Sequence, residues 1–189
     1  MIFSAFKNII SQLANLTPNS FLPKLGEKLT TGRVKAHDWA EVYLLLRFIF
    51  ALALTTFLPK SSALLFVIFI IQFCSIIYLL KIVFPVDGRN LKDPSRSLFF
   101  AFGHYIEIGL SMGYVYWCLD SFNQNSITIS KSVYFSFITM TTIGFGDITP
   151  NTDIARLIVT AHSIVGLFML VTVIGIFLSL STSDPKRQE

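Results

Sequence analysis

Thr141-Thr142-Ile143-Gly144-Phe145-Gly146-Asp147 is the stretch that decides how this chain is read. It follows a short apolar run, Tyr134 to Met140, and precedes a long apolar span that starts near Ile154. Glycines at alternate positions among threonines and an aspartate suit neither a strand nor a helix interior. Alternating glycine lets the backbone take left-handed dihedrals at every second position, so successive carbonyls can point the same way. Four such loops around an axis would stack rings of carbonyl oxygen, which replace the water shell of a dehydrated cation.

The rest of the chain supplies the setting. Of 189 residues 53% are hydrophobic, 19 are phenylalanine and only 14% are charged, well under the roughly 25% of a soluble domain. Mean hydropathy is positive, and the long apolar runs indicate an integral membrane protein. The net charge of +4 comes from residues lying between the apolar spans, which argues against a nucleic-acid partner. Cys74 and Cys118 sit within or at the end of apolar spans and read as small hydrophobes rather than a disulfide or metal pair. Lys7 stands alone as a cation near the N-terminus, where polar residues interrupt the apolar ones, so no signal peptide is expected.

Taken in order, residues 1–37 read as an N-terminal amphipathic segment and basic link. Ile2, Phe3, Phe6, Ile9, Ile10 and Leu13 recur at helical spacing, with Lys7, Asn8, Ser11 and Gln12 opposite. That pattern suits a helix lying in the membrane interface or packed on a neighbouring subunit. Pro18 and Pro23 are expected to end it, with a polar link through Lys24, Lys28, Arg33 and Lys35. Residues 38–97 read as two peripheral transmembrane helices and a cytoplasmic loop. The first runs from about Val42 to Leu58, beginning as early as Asp38 to Glu41, and the second from about Ala63 to Phe84. Neither carries the regular arginines of a voltage sensor; Arg47 is placed where it can snorkel to the membrane edge. The loop Pro85 to Ser97 holds Arg89, Lys92 and Arg96.

Residues 98–181 hold a third span to about Leu119, an Asn/Ser-rich loop from Asp120 to Ser130, and an apolar stretch from Lys131 to Thr141. That stretch is too short to cross and suits a re-entrant helix. The glycine loop and a last span, Ile154 to Ser181, follow, and residues 182–189 form a short tail. Lys and Arg concentrate on the N-terminal, middle-loop and C-terminal side, against Lys60, Lys131 and Arg156 on the other. Both termini are therefore expected in the cytoplasm of a cell-membrane protein, with the glycine loop opening outward. One chain carries one such loop, so a ring of four requires a homotetramer in lipid.

The loop, its threonines, its following aspartate and its flanking spans resemble the selectivity filter of potassium channels, which usually reads Thr-Val-Gly-Tyr-Gly with variants such as Thr-Ile-Gly-Phe-Gly. The resemblance covers about Leu98 to Ser181. It implies an all-α membrane protein with four transmembrane helices, a re-entrant pore helix and a filter per subunit. It implies K+ as the permeant ion, with no organic cofactor and no obvious soluble ligand-binding domain. The carbonyl rings would come from Thr142, Ile143, Gly144 and Phe145, with the Thr142 hydroxyl completing the innermost site. Thr141, Gly146 and Asp147 would support them, Asp147 standing at the post-filter aspartate. Gly166 aligns with the hinge glycine, close packing against the pore helix being the alternative. Leu167, Leu170, Ile174 and Leu178 would then line the cavity and inner mouth.

The chain also departs from the family pattern. Tyr134 and Phe135 stand where many members pair tryptophans, Phe145 replaces the commoner tyrosine, and Ile138 stands where some bacterial members have glutamate. These changes remove most of the polar network expected behind the filter, so conduction should tend to inactivate there. Ionisable groups within spans are functional suspects: Arg47, His104, Glu107 and His162, with Arg47 and Glu107 a candidate pair. Glu107, His104 or His162 would confer sensitivity between about pH 5 and 8. The reading is a passive potassium-selective channel; the alternative is a weakly selective monovalent cation channel of the same architecture. An enzyme would need a positioned acid–base set, and the ionisable groups are too sparse and too deep to make one.

Overall fold

Unbroken apolar runs fold as helices because, in hydrocarbon, every backbone N–H and C=O must find its partner within the segment. The computed structural model describes residues 2–30, 36–83, 94–124 and 126–182. Among them the chain forms α1 (Ile2–Leu16), α2 (Pro18–Leu29), α3 (Ala36–Thr56), α4 (Ser62–Val83), α5 (Pro94–Leu119), α6 (Ile129–Met140) and α7 (Asp153–Thr182). Outside the helices, the described residues form a single isolated β-bridge, Phe122 with Pro150. Three described helices are long and apolar enough to cross a membrane: α3 over Asp38–Thr56, α5 over Ser95–Leu119 and α7 over Asp153–Leu178.

Two sequence expectations need correction. Residues 18–29 are helical, not a link. Pro18 occupies the first turn, where an amide N–H has no intrahelical acceptor anyway, and Pro23 is tolerated inside the helix. Arg33 and Lys35 lie outside the described residues. Likewise α5 begins at Pro94, so Pro94 to Ser97 belong to the helix rather than to the preceding loop. The rest of that loop lies outside the described residues, as does the tail from residue 183. α1 packs on α4 and α2 of its own chain, burying Ile10 and Ala14 while Phe6, Ile9, Leu13 and Leu16 are exposed.

Ion pairs mark the two ends of the helix bundle. At one end Arg96 of α5 reaches Asp38 and Glu41 of α3, at 3.6 and 2.5 Å. At the other, Lys60 in the α3–α4 turn meets Asp120 just beyond α5 at 3.2 Å. There the Tyr114 hydroxyl donates to the Pro59 carbonyl at 2.7 Å and accepts from the Ser61 N–H at 3.2 Å. α3 and α5 therefore run the same way and α4 runs back between their ends.

α6 packs against both α5 and α7. Glycine makes both approaches close. A Cβ on Gly113 of α5 would lie 2.7 Å from Val133 Cγ2 and 2.9 Å from Val133 Cα. A Cβ on Gly166 of α7 would lie 2.5 Å from Met140 Cβ, 2.6 Å from its Cα and 2.8 Å from its carbonyl oxygen. Ser136 adds a buried bond, its Oγ donating to the Gly109 carbonyl at 2.7 Å. Behind α6, Tyr116, Phe122 and Phe135 form an edge-to-face cluster with ring centroids 5.0 to 5.6 Å apart, the geometry that aromatic quadrupoles favour.

Candidate functional site

The glycine loop is launched by α6. Thr128 caps that helix, its side chain accepting from the Lys131 N–H at 3.4 Å. At the far end the Phe137 carbonyl accepts from both the backbone N–H and the hydroxyl of Thr141, at 3.0 and 2.7 Å. Beyond Thr141 the backbone alternates in hand. φ is +62° at Thr142, +51° at Gly144 and +78° at Gly146, with Ile143 and Phe145 between them. Glycine takes such values without strain; a β-branched threonine does so only where its surroundings hold it.

What holds it is the end of α6. Thr142 N–H donates to the Thr139 carbonyl at 3.1 Å. The N–H groups of Ile143 and Gly144 converge on the Ile138 carbonyl at 3.0 and 3.1 Å. The acceptors behave differently: among the described residues, no hydrogen bond is made to the carbonyls of Thr142, Ile143, Gly144, Phe145 or Gly146. The loop turns its donors back to the helix and leaves its acceptors outward. Ile143 and Phe145 are 56% and 69% exposed in the single chain.

The residues expected to support the loop divide. Ile138 acts through its carbonyl while its side chain is buried. Phe135 lies behind α6 in the aromatic cluster and does not brace the loop directly. Tyr134 is 40% exposed in the single chain. The structure also adds a brace that sequence reasoning missed, in the loop between α5 and α6. Asn123 Nδ2 donates to the Asp147 carbonyl at 3.3 Å, and Asn123 Oδ1 accepts from the Thr149 N–H at 3.0 Å. The Asn123 N–H donates to the Thr149 carbonyl at 2.9 Å. Asn151 replies with its side chain to the Phe122 carbonyl at 2.6 Å and its N–H to the Ser121 carbonyl at 2.9 Å. The only sequence signal was an Asn/Ser-rich loop beside a re-entrant helix.

Asp120 anchors the same loop. Its carboxylate accepts from the Ile127 N–H at 2.9 Å and from Lys60 Nζ at 3.2 Å. The Ile127 bond, and then Lys60, hold this carboxyl below the usual carboxylate range, since both favour its charged form.

On α7, Leu167, Ile174 and Leu178 are exposed along one side and Leu170 is half-buried. Gly166 is buried against Met140, so close packing against α6 is what the geometry shows at this position. His162, 3% exposed, meets the Tyr116 hydroxyl through Nδ1 at 2.8 Å.

The remaining ionisable suspects converge far from the loop, in the interior between α3, α4 and α5. Arg47 Nη2 donates to Glu107 Oε2 at 2.6 Å, and Gln72 Nε2 donates to Glu107 Oε1 at 2.8 Å. Ser111 Oγ approaches Oε1 at 3.4 Å, and His104 Nδ1 lies 3.7 Å from Oε2. Arg47 and Glu107 are 5% and 2% exposed, so Arg47 turns inward rather than snorkelling. Gln72 and Ser111 were not foreseen as partners. The cluster is a polar tie among three helices, since a buried carboxylate stays charged only where donors surround it.

Comparison with known proteins places this geometry. Residues 104–182 match the family described as ion channel. The chain is similar to the voltage-gated delayed rectifier potassium channel KCNH1 of Rattus norvegicus, 38% identical over 53 residues, or 28% of this chain and 5% of that one. It is also similar to two pore potassium channel a of Oryza sativa subsp. japonica, 30% identical over 97 residues, or 50% of this chain and 27% of that one. From α5 to α7 the chain is thus similar to ion channels, and the relatives named are potassium channels. The match begins in α5 and ends with α7, so it takes in α6, the glycine loop and both glycine contacts. α1 to α4 lie outside the family match. No solved structure matches the chain, and the chain spans only a small part of each relative named.

Proposed function

We propose that four copies of this chain assemble around a central axis as a potassium-selective channel that conducts K+ passively. Carbonyls of Thr142, Ile143, Gly144 and Phe145 would form the ion-coordinating rings, and the Thr142 hydroxyl the innermost site. The observation that carries this reading is the separation of donors from acceptors in the filter. Three successive amide groups, from Thr142 to Gly144, are spent on α6, while the carbonyls from Thr142 to Gly146 find no protein donor among the described residues. A row of unsatisfied carbonyls is costly inside a membrane protein unless something else coordinates them. A dehydrated cation does so.

In the same proposal four helices per subunit span the membrane. α4 has 22 residues, about 33 Å as a helix, which matches a hydrocarbon core of ~30 Å. The ion pairs at either end of the bundle fit an up–down–up course for α3, α4 and α5. Both termini then lie in the cytoplasm and the filter opens outward. Leu167, Leu170, Ile174 and Leu178 line the cavity and inner mouth.

The test is a planar bilayer with K+ on one side and an equal concentration of Na+ on the other. A selective pore reverses far from zero, at the potential set by the ratio of Na+ to K+ permeability. Reversal near zero would mean a weakly selective cation pore, and absence of current from protein shown to be tetrameric by native mass spectrometry would overturn the reading.

A further inference from the structure

The filter loop is held from behind by α6, but its outer limb, Asp147 to Pro150, departs from that helix. What meets this limb is the loop after α5. The Asn123 side chain spans two residues of it, donating to the Asp147 carbonyl at 3.3 Å and accepting from the Thr149 N–H at 3.0 Å. A primary amide is the side chain suited to this, because it offers a donor and an acceptor from one planar group. The backbone of Asn123 adds a third bond to Thr149, and Asn151 answers with two bonds to Phe122 and Ser121. The β-bridge Phe122–Pro150 lies at the centre of this pairing.

The far side of the clasp is fixed as well. Phe122 is 3% exposed and stacks edge-to-face on Tyr116 and Phe135. Asp120, where the loop leaves α5, is tied to the Ile127 N–H and to Lys60 of the α3–α4 turn. The support beneath Asn123 is thus tied on both sides, and through Lys60 it reaches the α3–α4 turn that the family match leaves out.

We propose that Asn123 is a positioning residue for the filter: its side-chain amide holds the Asp147–Thr149 limb, and through it the outermost carbonyl rings, in the conducting geometry. The claim rests on the reading of Thr141 to Asp147 as a K+ filter. It adds that the departures at Tyr134, Phe135, Ile138 and Phe145 are compensated from the outer loop rather than left open. Gln124 provides an internal contrast. Its Oε1 accepts from Lys131 Nζ of α6 at 2.7 Å and makes no bond to the filter limb.

The experiment uses the full chain reconstituted as tetramers, recording K+ current against time at high and low external K+. Asn123→Ala removes both side-chain bonds; current at low external K+ should decay about fivefold faster than in wild type, which is about 1 kcal/mol at about 1.4 kcal/mol per factor of ten. High external K+ should restore wild-type decay, because ions in the filter hold the rings from inside. Asn151→Ala should move the same way and Gln124→Ala should not move. A merely structural role would lower tetramer yield alike at all K+ concentrations. If Asn123→Ala fails to assemble, Asn123→Asp decides: it keeps the acceptor for the Thr149 N–H, loses the donor to Asp147, and should decay faster than wild type. Wild-type decay in the assembled Asn123 variant, or equal acceleration in Gln124→Ala, overturns the proposal. Should wild type itself pass no selective current, the channel reading fails, and amide exchange at Thr149 then reads the clasp alone. Faster exchange in Asn123→Ala supports the clasp and unchanged exchange overturns it.

Discussion

Replacing Gly166 by alanine tests what that glycine does. A methyl group there would stand 2.5 Å from Met140 Cβ and 2.6 Å from Met140 Cα, where ordinary contact begins at 3.4 Å. α6 and α7 must therefore separate by about 1 Å. The obstructing atoms are backbone and Cβ, so no rotamer change relieves them, and the cost lies toward the upper part of the about 1–3 kcal/mol of overpacking. Alanine returns about 1 kcal/mol through helix propensity. The net loss is then about 2 kcal/mol per subunit. Met140 stands two residues before Thr142, so the displacement falls at the base of the glycine loop and of the rings proposed there. Gly175 is the control, since a Cβ there meets nothing within 4 Å, and Gly175→Ala should gain about 1 kcal/mol. Thermal unfolding of the tetramer in detergent and K+ flux from liposomes, scaled to assembled protein, read both quantities. Gly166→Ala should lower the midpoint and the flux, and Met140→Ala should not rescue it, because alanine keeps the offending Cβ. A pure hinge would lose opening without losing stability. Wild-type stability in Gly166→Ala, or rescue by Met140→Ala, refutes the packing argument.

Four further outcomes follow from the same structure. Gly144→Ala and Gly146→Ala place a side chain at φ of +51° and +78°, a strain of about 1–2 kcal/mol that should turn carbonyls away; K+ over Na+ permeability equal to wild type would contradict this. Glu107→Gln leaves Arg47 buried without its counter-charge and should destabilise the tetramer by about 3–5 kcal/mol, while Arg47→Met with Glu107→Leu recovers most of it; thermal unfolding of both decides. Asp120 has its folded-state carboxyl held below the usual range, so its stabilising effect is complete above the unfolded value of about 3.9 and is lost as pH falls through the depressed value; Asp120→Asn should abolish that acid sensitivity of unfolding. Ile174→Asn or Leu178→Asn should raise resting K+ flux if their rings close the inner mouth by dewetting, and flux per tetramer identical to wild type would place the gate elsewhere.

What the sequence disclosed depended on how far apart the partners lie along the chain. The conformation of the glycine loop was readable because its requirement is local: alternate residues must tolerate positive φ, and Gly144 and Gly146 announce it. Thr142 hid the same conformation, since no threonine advertises φ of +62°. α6 was readable because an apolar stretch too short to span must re-enter. α2 was misread because Pro18 is as good a helix opener as a helix breaker, and the residues after it lack a strong apolar stripe. Arg47 and Glu107 could be paired from sequence because lone charges in apolar spans need each other. Gln72 and Ser111 could not, because uncharged polar residues in a span have many alternatives. The clasp escaped for a further reason: Asn123 and Thr149 are 26 positions apart, and exposed loop contacts leave no periodicity to detect.

The exposed surfaces of the single chain fit the proposed tetramer. Ile143, Phe145, Leu167, Ile174 and Leu178 are each about half or more exposed, an apolar excess that only lipid or another chain can cover. The carbonyls of Thr142 to Gly146 lie on the same stretch as the first two and demand the opposite, a charged or polar partner. Lipid would satisfy the leucines and leave the carbonyls stranded; water would do the reverse. In the proposed ring of four chains the two demands would be separated, with the carbonyls meeting ions on the axis and the side chains of Ile143 and Phe145 packing between neighbouring loops. Below the filter, the leucine face of α7 then borders an aqueous cavity, and the narrowness of its apolar rings decides whether water and ions pass. The apolar surface that would be a liability on a monomer becomes, in that arrangement, the packing around the filter and the wall of the gate.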